Sequence, residues 1–183
     1  MFVEQSPNAP HHATPVGPER VDDLARLSVD ALERLYRAAG VPQTLEALSG
    51  APVGRMLTVR GVLDRPGPRA RLAEIARAPW FPWNGKSFSA FDADHGEGIN
   101  RVKLLGDQFP FGLVWGASAI DGRPCVVLDY DKPENPWVIR QIHDELRELR
   151  DGLFLGPAMW KTENAPALVL WFAIDARGLS APR

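Results

Sequence analysis

Apolar residues recur at three- and four-residue spacing near the start of the chain, which is the period of an amphipathic helix. The apolar positions of this segment are Leu24, Leu27, Ala31, Leu32, Leu35 and Ala38. Charged residues lie between them, and Gly40 and Pro42 follow. The pattern therefore predicts a helix over residues 21–39 that ends before Gly40. A second, shorter helix is predicted over residues 44–48, with Thr44 as its N-cap.

Further along the chain, short apolar runs separated by turn residues predict β-strands. A first strand is predicted over residues 55–63, followed by a short Ala- and Arg-rich helix over 69–77. After Pro79 we predict strands over residues 86–91, 99–105, 112–120, 124–130, 153–160 and 167–174. The pair Asp121 and Gly122 predicts a tight type I′ hairpin, because both central positions of that turn need positive φ.

One helix is predicted to interrupt these strands, over residues 136–150. Asn135 would be its N-cap, Pro136 its first residue, and Gly152 would follow its end. Its apolar face would carry Ile139, Ile142, Leu146 and Leu149. The strand over 167–174 is apolar on both faces, so we expect this helix or the N-terminal one to cover its second face.

This order of elements predicts a mainly β (α+β) fold, namely a small antiparallel β-barrel with an N-terminal helical region and one inserted helix. Residues 1–18 are interpreted as a disordered leader, because they combine Pro, His and small polar residues without periodicity. Residues 19–78 would form the helical region with one strand, packed on the barrel. Residues 79–177 would form the barrel, and 178–183 a tail.

Composition excludes several classes of protein. The net charge of −2 comes from 21 basic and 23 acidic residues without long runs of either sign, which argues against a nucleic-acid or anionic membrane partner. Cys125 is the only cysteine, so neither an intrachain disulfide nor a cysteine-rich zinc site can form. The N-terminus has no apolar run typical of a signal peptide or membrane span. We therefore expect a cytoplasmic protein.

Two stretches of the sequence are similar to a known domain family. The run PWNGKSF resembles the W-x-G-K-x-F core of the GXWXG domain, through Trp83, Gly85, Lys86 and Phe88. Later runs, LDYDKPENPWVIRQIHDEL and DGLFLGPAMW, are similar to the uncharacterised domain that follows it in that family. The matching residues are Tyr130, Asp131, Pro133, Ile139, Ile142, Leu155 and Gly156.

The resemblance spans about residues 80–175 and implies a calycin-like or lipocalin-like barrel that encloses a small hydrophobic cavity. It implies no established activity. The KPENPW turn is longer than the family's usual turn, and the region from 20 to 77 has no counterpart in the resemblance.

The densest polar cluster, FDADHGEGIN, does not fit an EF-hand calcium loop. Counted from Asp92, the sixth and twelfth positions hold Glu97 and Lys103, where that loop needs Gly and Glu. His95 is the one histidine nearby. A zinc or manganese site of His95 with Asp92 or Asp94 is chemically possible, but we favour a turn between strands and predict no metal site.

Asp129 and Tyr130 are alternative candidates for an acid/base residue. Strand alternation puts Asp129 on the same face as Cys125 and Tyr130 on the opposite face, so only one of the two can face the interior of a barrel. Burial of Asp129 would raise its pKa toward acid/base use, whereas Tyr130 would offer a weak acid and a hydrogen-bond donor. The competing interpretation is that Asp131 and Asn135 only cap the turn and the helix.

Lys86 is the candidate cation, because it lies on an otherwise apolar strand face. Inside a barrel its amine would bind a carboxylate or pair with Asp129, while near the rim it would extend toward solvent. A ligand cavity would be lined by aromatic residues, and the predicted wall consists of Trp83, Phe88, Trp115, Trp160 and Trp171.

Three hypotheses for function follow. The first is that the barrel binds a small hydrophobic or amphipathic metabolite, such as a lipid, terpenoid or polyketide-like molecule, with Lys86 and Asp129 as polar anchors and no cofactor. The second is a cofactor-independent acid/base enzyme, an isomerase, cyclase or dehydratase, that uses Asp129 or Tyr130 with Lys86. The third is a subunit, for example of a homodimer, whose strand 167–174 pairs with another chain.

Overall fold

Eight antiparallel strands form a closed barrel in the computed structural model, which describes residues 17–59, 83–102 and 106–177. The strands are β1 (Val53–Val59), β2 (Trp83–Ala90), β3 (His95–Val102), β4 (Gly106–Ala117), β5 (Pro124–Asp129), β6 (Ile142–Arg150), β7 (Leu153–Trp160) and β8 (Ala167–Asp175). Each strand pairs with its neighbours in chain order, and β8 returns to pair with β1. This order of pairing is an up-and-down barrel. The mainly β fold class predicted from the sequence is confirmed.

The N-terminal region holds short helices, as predicted, but the long one is divided. Its two parts are α1 (Val21–Leu24) and α2 (Val29–Ala38). The division falls at Ser28, whose hydroxyl accepts a hydrogen bond from the Ala31 amide and so caps the start of α2. The short helix expected over 44–48 is present as a 3₁₀ helix over Leu45–Leu48.

The helix predicted over residues 136–150 is wrong for most of its length. Only α3 (Trp137–Arg140) is helical, and β6 follows it directly. The charged residues of HDELREL suit the solvent face of a helix. In the strand, however, Asp144 is buried on one face and Glu145 and Arg147 on the other. All three side chains form hydrogen bonds with residues of other elements. Tertiary contacts therefore override helical propensity. β6 is the strand that was not predicted from the sequence, and it closes the barrel between β5 and β7.

The hairpin predicted between β4 and β5 exists, but its turn is longer than a type I′ turn. The Gly122 amide donates to the Ser118 carbonyl at 2.8 Å, and the Ser118 amide donates to the Arg123 carbonyl at 2.9 Å. Gly122 has φ of 71°, while Asp121 does not have positive φ. The type I′ prediction was wrong because β4 ends at Ala117 and β5 begins at Pro124, which leaves a loop over residues 118–123. In this loop the Asp121 carboxylate accepts hydrogen bonds from the Arg123 amide and from the guanidinium of Arg147.

The inward-facing side chains form one apolar cluster. Its buried members are Leu45, Leu48, Phe88, Phe111, Leu113, Val126, Leu128, Tyr130, Leu146, Phe154, Leu170, Phe172 and Ile174. Leu45 and Leu48 come from the 3₁₀ helix, which therefore closes one end of the barrel. Glycine makes room for the rings, since a Cβ on Gly98 would collide with the Phe111 ring.

A second apolar cluster lies on the outer face, under α1 and α2. It joins Leu24, Leu32 and Tyr36 to Leu153, Leu155, Trp171 and Ala173. The N-terminal helices thus supply the cover that the apolar strand β8 was predicted to need. Both edges of β8 are paired, with β1 and with β7. Within the described residues, β1 pairs with β8 from Leu170 to Asp175 and β7 pairs with it along its whole length, so no edge is free there for a second chain, which contradicts the edge-pairing hypothesis.

Several predictions lie outside the described residues. These are most of the leader over 1–18, the end of the first strand beyond Val59, the helix over 69–77, the end of the predicted strand over 99–105, and the tail over 178–183. None of the helices in the described part of the chain is long and apolar enough to cross a membrane.

Candidate functional site

A buried lysine inside the barrel contacts three other polar side chains. The Lys86 amine contacts Asn100 Oδ1 at 2.9 Å, Tyr130 Oη at 2.5 Å and Asp144 Oδ2 at 3.0 Å. Lys86 is 3% exposed and Asp144 4%, so the ion pair is withdrawn from solvent. We call Lys86, Asn100, Tyr130 and Asp144 the interior polar cluster.

Strand register brings these four residues together. Lys86 on β2 lies directly opposite Asn100 on β3. Asp144 on β6 lies opposite Leu128 on β5, and Tyr130 follows Leu128 by two residues, on the same inward face. The cluster therefore joins two separate parts of the barrel wall across its interior.

Almost every polar atom of the interior polar cluster has a partner. Asn100 Oδ1 also accepts from Trp83 Nε1 at 3.1 Å, while its amide nitrogen donates to the Phe109 carbonyl and to Tyr130 Oη, both at 3.2 Å. Tyr130 Oη donates to Asp144 Oδ2 at 3.0 Å. The exception is Asp144 Oδ1, which is buried and has no hydrogen-bond partner in the described residues.

Aromatic rings surround the lysine amine. Ring centroids of Trp83, Phe111, Tyr130 and Phe172 lie 5.6, 5.1, 5.2 and 5.2 Å from Lys86 Nζ. The negative faces of such rings attract a cation within about 6 Å. The rings therefore favour the charged amine while the surrounding apolar wall excludes water.

Burial shifts the pKa values of two members of the cluster in opposite directions. Desolvation lowers the pKa of Lys86, and the neighbouring Asp144 carboxylate opposes that shift. Desolvation raises the pKa of Tyr130 well above its ordinary value, and Asp144 adds to the rise. Tyr130 is therefore a neutral hydrogen-bond donor at neutral pH, and Lys86 loses its proton more easily than a lysine in water.

Tyr130, not Asp129, faces the interior. The Asp129 carboxylate is 52% exposed, lies 3.7 Å from Lys161, and accepts a hydrogen bond from the Asp131 amide. The pairing of Lys86 with Asp129 considered from the sequence is wrong, because alternation along β5 turns Asp129 outward. Asp144, which the sequence analysis placed on a helix, is the partner instead.

Asn135 also differs from its predicted role. Its side-chain amide donates to the Pro110 carbonyl at 2.7 Å and to the Tyr130 carbonyl at 2.9 Å. It therefore ties the segment after β5 to β4 and does not cap α3, whose N-cap position is Pro136.

The five aromatic residues predicted to form a cavity wall are distributed over several regions. Phe88 is part of the inner cluster, and Trp83 packs against it beside Asn100. Trp115 packs against the same cluster but bonds to the Ala93 carbonyl, in the loop between β2 and β3.

The other two aromatic residues lie away from the cluster. Trp160, at the end of β7, contacts Trp137 on α3 with 6.3 Å between ring centroids. Trp171 is fully buried in the outer cluster, where it packs on Tyr36 at 5.4 Å. The placement of Trp171 on an inner wall was wrong, because alternation on β8 turns Phe172 inward and Trp171 outward.

The polar segment FDADHGEGIN is a turn only over residues 91–94, because its second half, from His95 to Asn100, belongs to strand β3. Asp92 Oδ1 accepts hydrogen bonds from the backbone amides of Asp94 at 2.8 Å and His95 at 2.7 Å. Such bonds stabilise a chain reversal. Among the described residues, no group of three or more His, Cys, Asp or Glu side chains is placed to hold a metal ion.

A second set of buried polar groups lies on the outer face of β6, under α2. Glu145 accepts a hydrogen bond from Tyr36 Oη at 2.6 Å and from the Ala119 amide at 2.7 Å, and it lies 2.9 Å from His143 Nε2. Burial alone would raise the pKa of Glu145, but its hydrogen bonds, from His143 first, lower it on balance. Burial beside Glu145 raises the pKa of the Cys125 thiol to about 12, so this thiol is inert at neutral pH.

The sequence analysis missed Asn100, Asp144 and Glu145 as members of buried sites. The available signal was alternation: in HDELREL, Asp144 and Leu146 have one parity while Glu145 and Arg147 have the other. With this segment assigned to a helix, the two carboxylates could not be placed on opposite faces of one strand.

Comparisons with known proteins leave the function open. Neither a family model nor a curated protein matches the sequence. This chain is similar to a protein from Thermomonospora curvata whose crystal structure is known. The two sequences are 19% identical, the comparison covers 81% of this chain and 87% of that chain, and the TM-score is 0.46. The description of that protein names no ligand or activity. The resemblance to the GXWXG domain stays a prediction.

Proposed function

We propose that the barrel binds a small, largely apolar molecule next to the interior polar cluster. The observation that carries this proposal is the ion pair between Lys86 and Asp144, at 3.0 Å and shielded from solvent within an apolar barrel. Burying two charges costs several kcal/mol per ion, roughly, and well-packed apolar residues in their place are often as stable. A cluster that stability alone does not require is better explained by a ligand that it recognises.

The chemistry of the interior supports a largely apolar class of ligand. Most inward-facing side chains are aliphatic or aromatic, which suits an apolar body such as that of a lipid, terpenoid or polyketide-like metabolite. The polar groups are concentrated at Lys86, Asn100, Tyr130 and Asp144. A matching ligand therefore carries its polar atoms at one position and not along its whole length.

Native mass spectrometry of the purified protein tests this proposal directly. We expect a fraction with additional mass that disappears on denaturation, and an increase in the fluorescence of added 1-aminoanthracene as it enters apolar surroundings. Protein that is folded by circular dichroism but shows neither added mass nor bound probe would overturn the proposal.

Two substitutions localise the bound probe. Ala158 packs against the inner cluster, so Ala158→Leu adds volume inside the barrel and should weaken probe binding. Val127 has the opposite parity from Val126 and Leu128 on β5, so Val127→Leu adds volume outside and should leave binding unchanged. Equal effects of the two substitutions would place the probe elsewhere.

A second candidate is a cofactor-independent acid/base enzyme, such as an isomerase, cyclase or dehydratase, that acts on the same kind of molecule. The 2.5 Å contact between Lys86 and Tyr130, with Asp144 bonded to both, favours it. In this proposal the Asp144 carboxylate accepts a proton and Tyr130 donates one, with Lys86 stabilising the phenolate that forms. The version that uses Asp129 fails, because Asp129 is exposed.

Tyr130→Phe separates binding from catalysis. As a binding protein, the variant should still bind 1-aminoanthracene and any co-purified ligand. As an enzyme, it should lose turnover of that co-purified molecule by roughly 100-fold or more while still binding it. Asp129→Asn is the matched control, and we expect it to change neither property.

Location and assembly stay predictions from the sequence. A cytoplasmic protein is expected from its single cysteine, which is buried. A homodimer would have to use a surface other than the edges of β8, and light scattering decides between monomer and dimer.

A further inference from the structure

We infer that the ligand of the interior polar cluster is a hydrogen-bond donor, an alcohol or a related hydroxyl compound, and that its donor is bound by Asp144 Oδ1. This inference rests on the proposed function and specifies the polar group that the ligand must carry. It follows from an inventory of donors and acceptors within the cluster.

The donors of the cluster are already in use. The Lys86 amine has three protons when charged, and it contacts three acceptors, Asn100 Oδ1, Tyr130 Oη and Asp144 Oδ2. The Asn100 amide donates both its protons, and the Tyr130 hydroxyl donates its one proton to Asp144. A ligand that offers only an acceptor, such as an ether, must displace one of these bonds.

One acceptor of the cluster is unused. Asp144 Oδ2 accepts from both Lys86 and Tyr130, while Asp144 Oδ1 has no hydrogen-bond partner in the described part of the chain although it is buried. A buried acceptor without a partner is costly, more so on a charged group. A ligand hydroxyl that donates to Asp144 Oδ1 removes this cost without breaking any existing bond.

The surroundings also exclude a second carboxylate. An anionic ligand at Asp144 Oδ1 would place two negative charges side by side in an apolar interior. Lys86 already neutralises Asp144 and contacts no other carboxylate among the described residues. The hydroxyl group is therefore the donor that fits the charge as well as the hydrogen bonds of the cluster.

Asp144→Asn reverses the predicted preference. Lys86 and Tyr130 both donate to the position of Oδ2, so the amide oxygen of the variant must lie there to accept from them. The amide nitrogen then occupies the position of Oδ1, where it donates and no longer accepts. The variant should favour a ligand that is only an acceptor.

Two probes with the same number of non-hydrogen atoms test the inference, 1-decanol as a donor and 1-methoxynonane as an acceptor only. Binding is measured by isothermal titration calorimetry to wild type, to Asp144→Asn, and to Asp129→Asn as a matched control on the outer face. Wild type and Asp129→Asn should bind 1-decanol about tenfold more tightly than the ether, since one hydrogen bond to a charged group differs. Asp144→Asn should bind the ether more tightly than the alcohol.

The outcomes separate the inference from the proposed function. Equal affinity of wild type for both probes would overturn the inference while leaving the proposed binding function intact. Binding of neither probe would overturn both. The comparison of probes on wild type decides the inference even if Asp144→Asn does not fold.

Discussion

Asp144 and Glu145 are consecutive residues of β6, and their buried carboxylates lie on opposite sides of the barrel wall. Asp144 Oδ2 accepts from Lys86 and Tyr130 inside the barrel, at 3.0 Å in each case. Glu145 accepts from Tyr36, at 2.6 Å, in the layer between the barrel and α2. One strand thus places one carboxylate inside the barrel and the other between the barrel and α2. Each carboxylate accepts hydrogen bonds from residues of other elements.

The first prediction concerns the ion pair inside the barrel. Lys86→Met removes the cation and leaves the Asp144 carboxylate buried without a counter-charge. The free energy of unfolding should fall by about 3–5 kcal/mol, as when one member of a buried pair is removed. Urea denaturation followed by circular dichroism measures the change. A variant as stable as wild type would show that the pair is not buried as described.

A double variant separates the cost of the unpaired charge from the value of the pair. In Lys86→Met/Asp144→Leu both charges are gone, and apolar side chains fill similar space. Most of the lost stability should return, because paired charges in an apolar interior are often no better than well-packed apolar residues. If the double variant recovers nothing, the pair contributes to stability in its own right.

Sequence patterns were sufficient for much of the barrel. The strands β5, β7 and β8 are short apolar runs between turn residues, and their observed bounds lie within about one residue of prediction. Alternation along β5 also predicted that only one of Asp129 and Tyr130 faces the interior of the barrel. These features are local, so neighbouring residues suffice to indicate them.

The site itself could not be assembled from local patterns. Lys86 and Asp144 lie 58 residues apart in sequence and on strands that do not pair with each other. Their contact depends on closure of the barrel, and that depends on β6 being a strand. In β6 the polar residues Glu145 and Arg147 are buried only because α2 and the loop after β4 supply Tyr36 and Asp121 as partners.

The second prediction concerns the ionisation of tyrosine. The chain has two tyrosines, Tyr36 and Tyr130, and burial raises the pKa of both above the ordinary value. The folded protein should therefore show no phenolate absorption near pH 10, whereas the urea-unfolded chain should titrate there. A phenolate signal with a midpoint near 10 in protein that is still folded would contradict the burial of these rings.

The same shifts predict how stability depends on pH. Below about pH 10 both tyrosines are protonated in the folded and the unfolded chain, so they add no pH dependence. Above it the unfolded chain loses tyrosine protons that the folded chain retains, so the tyrosine contribution to the free energy of unfolding should fall as pH rises, while Lys86, whose pKa is lowered in the folded chain, contributes in the opposite direction. Tyr130→Phe should reduce this fall, which is measured by urea denaturation between pH 9 and pH 11.

The third prediction tests which face of β8 is the inner one. Trp171→Phe should lower the free energy of unfolding by about 0.5–3 kcal/mol, because a smaller phenyl ring replaces the indole that packs on Tyr36. The indole N–H is buried without a partner in the described residues, so its removal costs no hydrogen bond. Binding of 1-decanol should not change, because Trp171 faces α2.

The neighbouring residue is the matched comparison. Phe172 faces the inner cluster, with its ring centroid 5.2 Å from Lys86 Nζ. Phe172→Leu should therefore weaken binding of 1-decanol as well as stability. If Trp171→Phe weakened binding of 1-decanol and Phe172→Leu left it unchanged, the assignment of the two faces would be reversed.

The last prediction concerns close packing between β6 and β7. A Cβ on Gly156 would collide with the Glu145 carbonyl oxygen and would lie 2.9 Å from the Phe172 ring. A backbone atom cannot move aside as a flexible side chain can, so Gly156→Ala should cost at least about 1–3 kcal/mol of stability. Gly112→Ala is the control, because a Cβ there has no neighbour within 4 Å and alanine reduces the freedom of the unfolded chain. Thermal denaturation should show a lower midpoint for Gly156→Ala and an unchanged or higher one for Gly112→Ala, and equal midpoints would mean that β6 and β7 are not in the register that places Gly156 against Glu145.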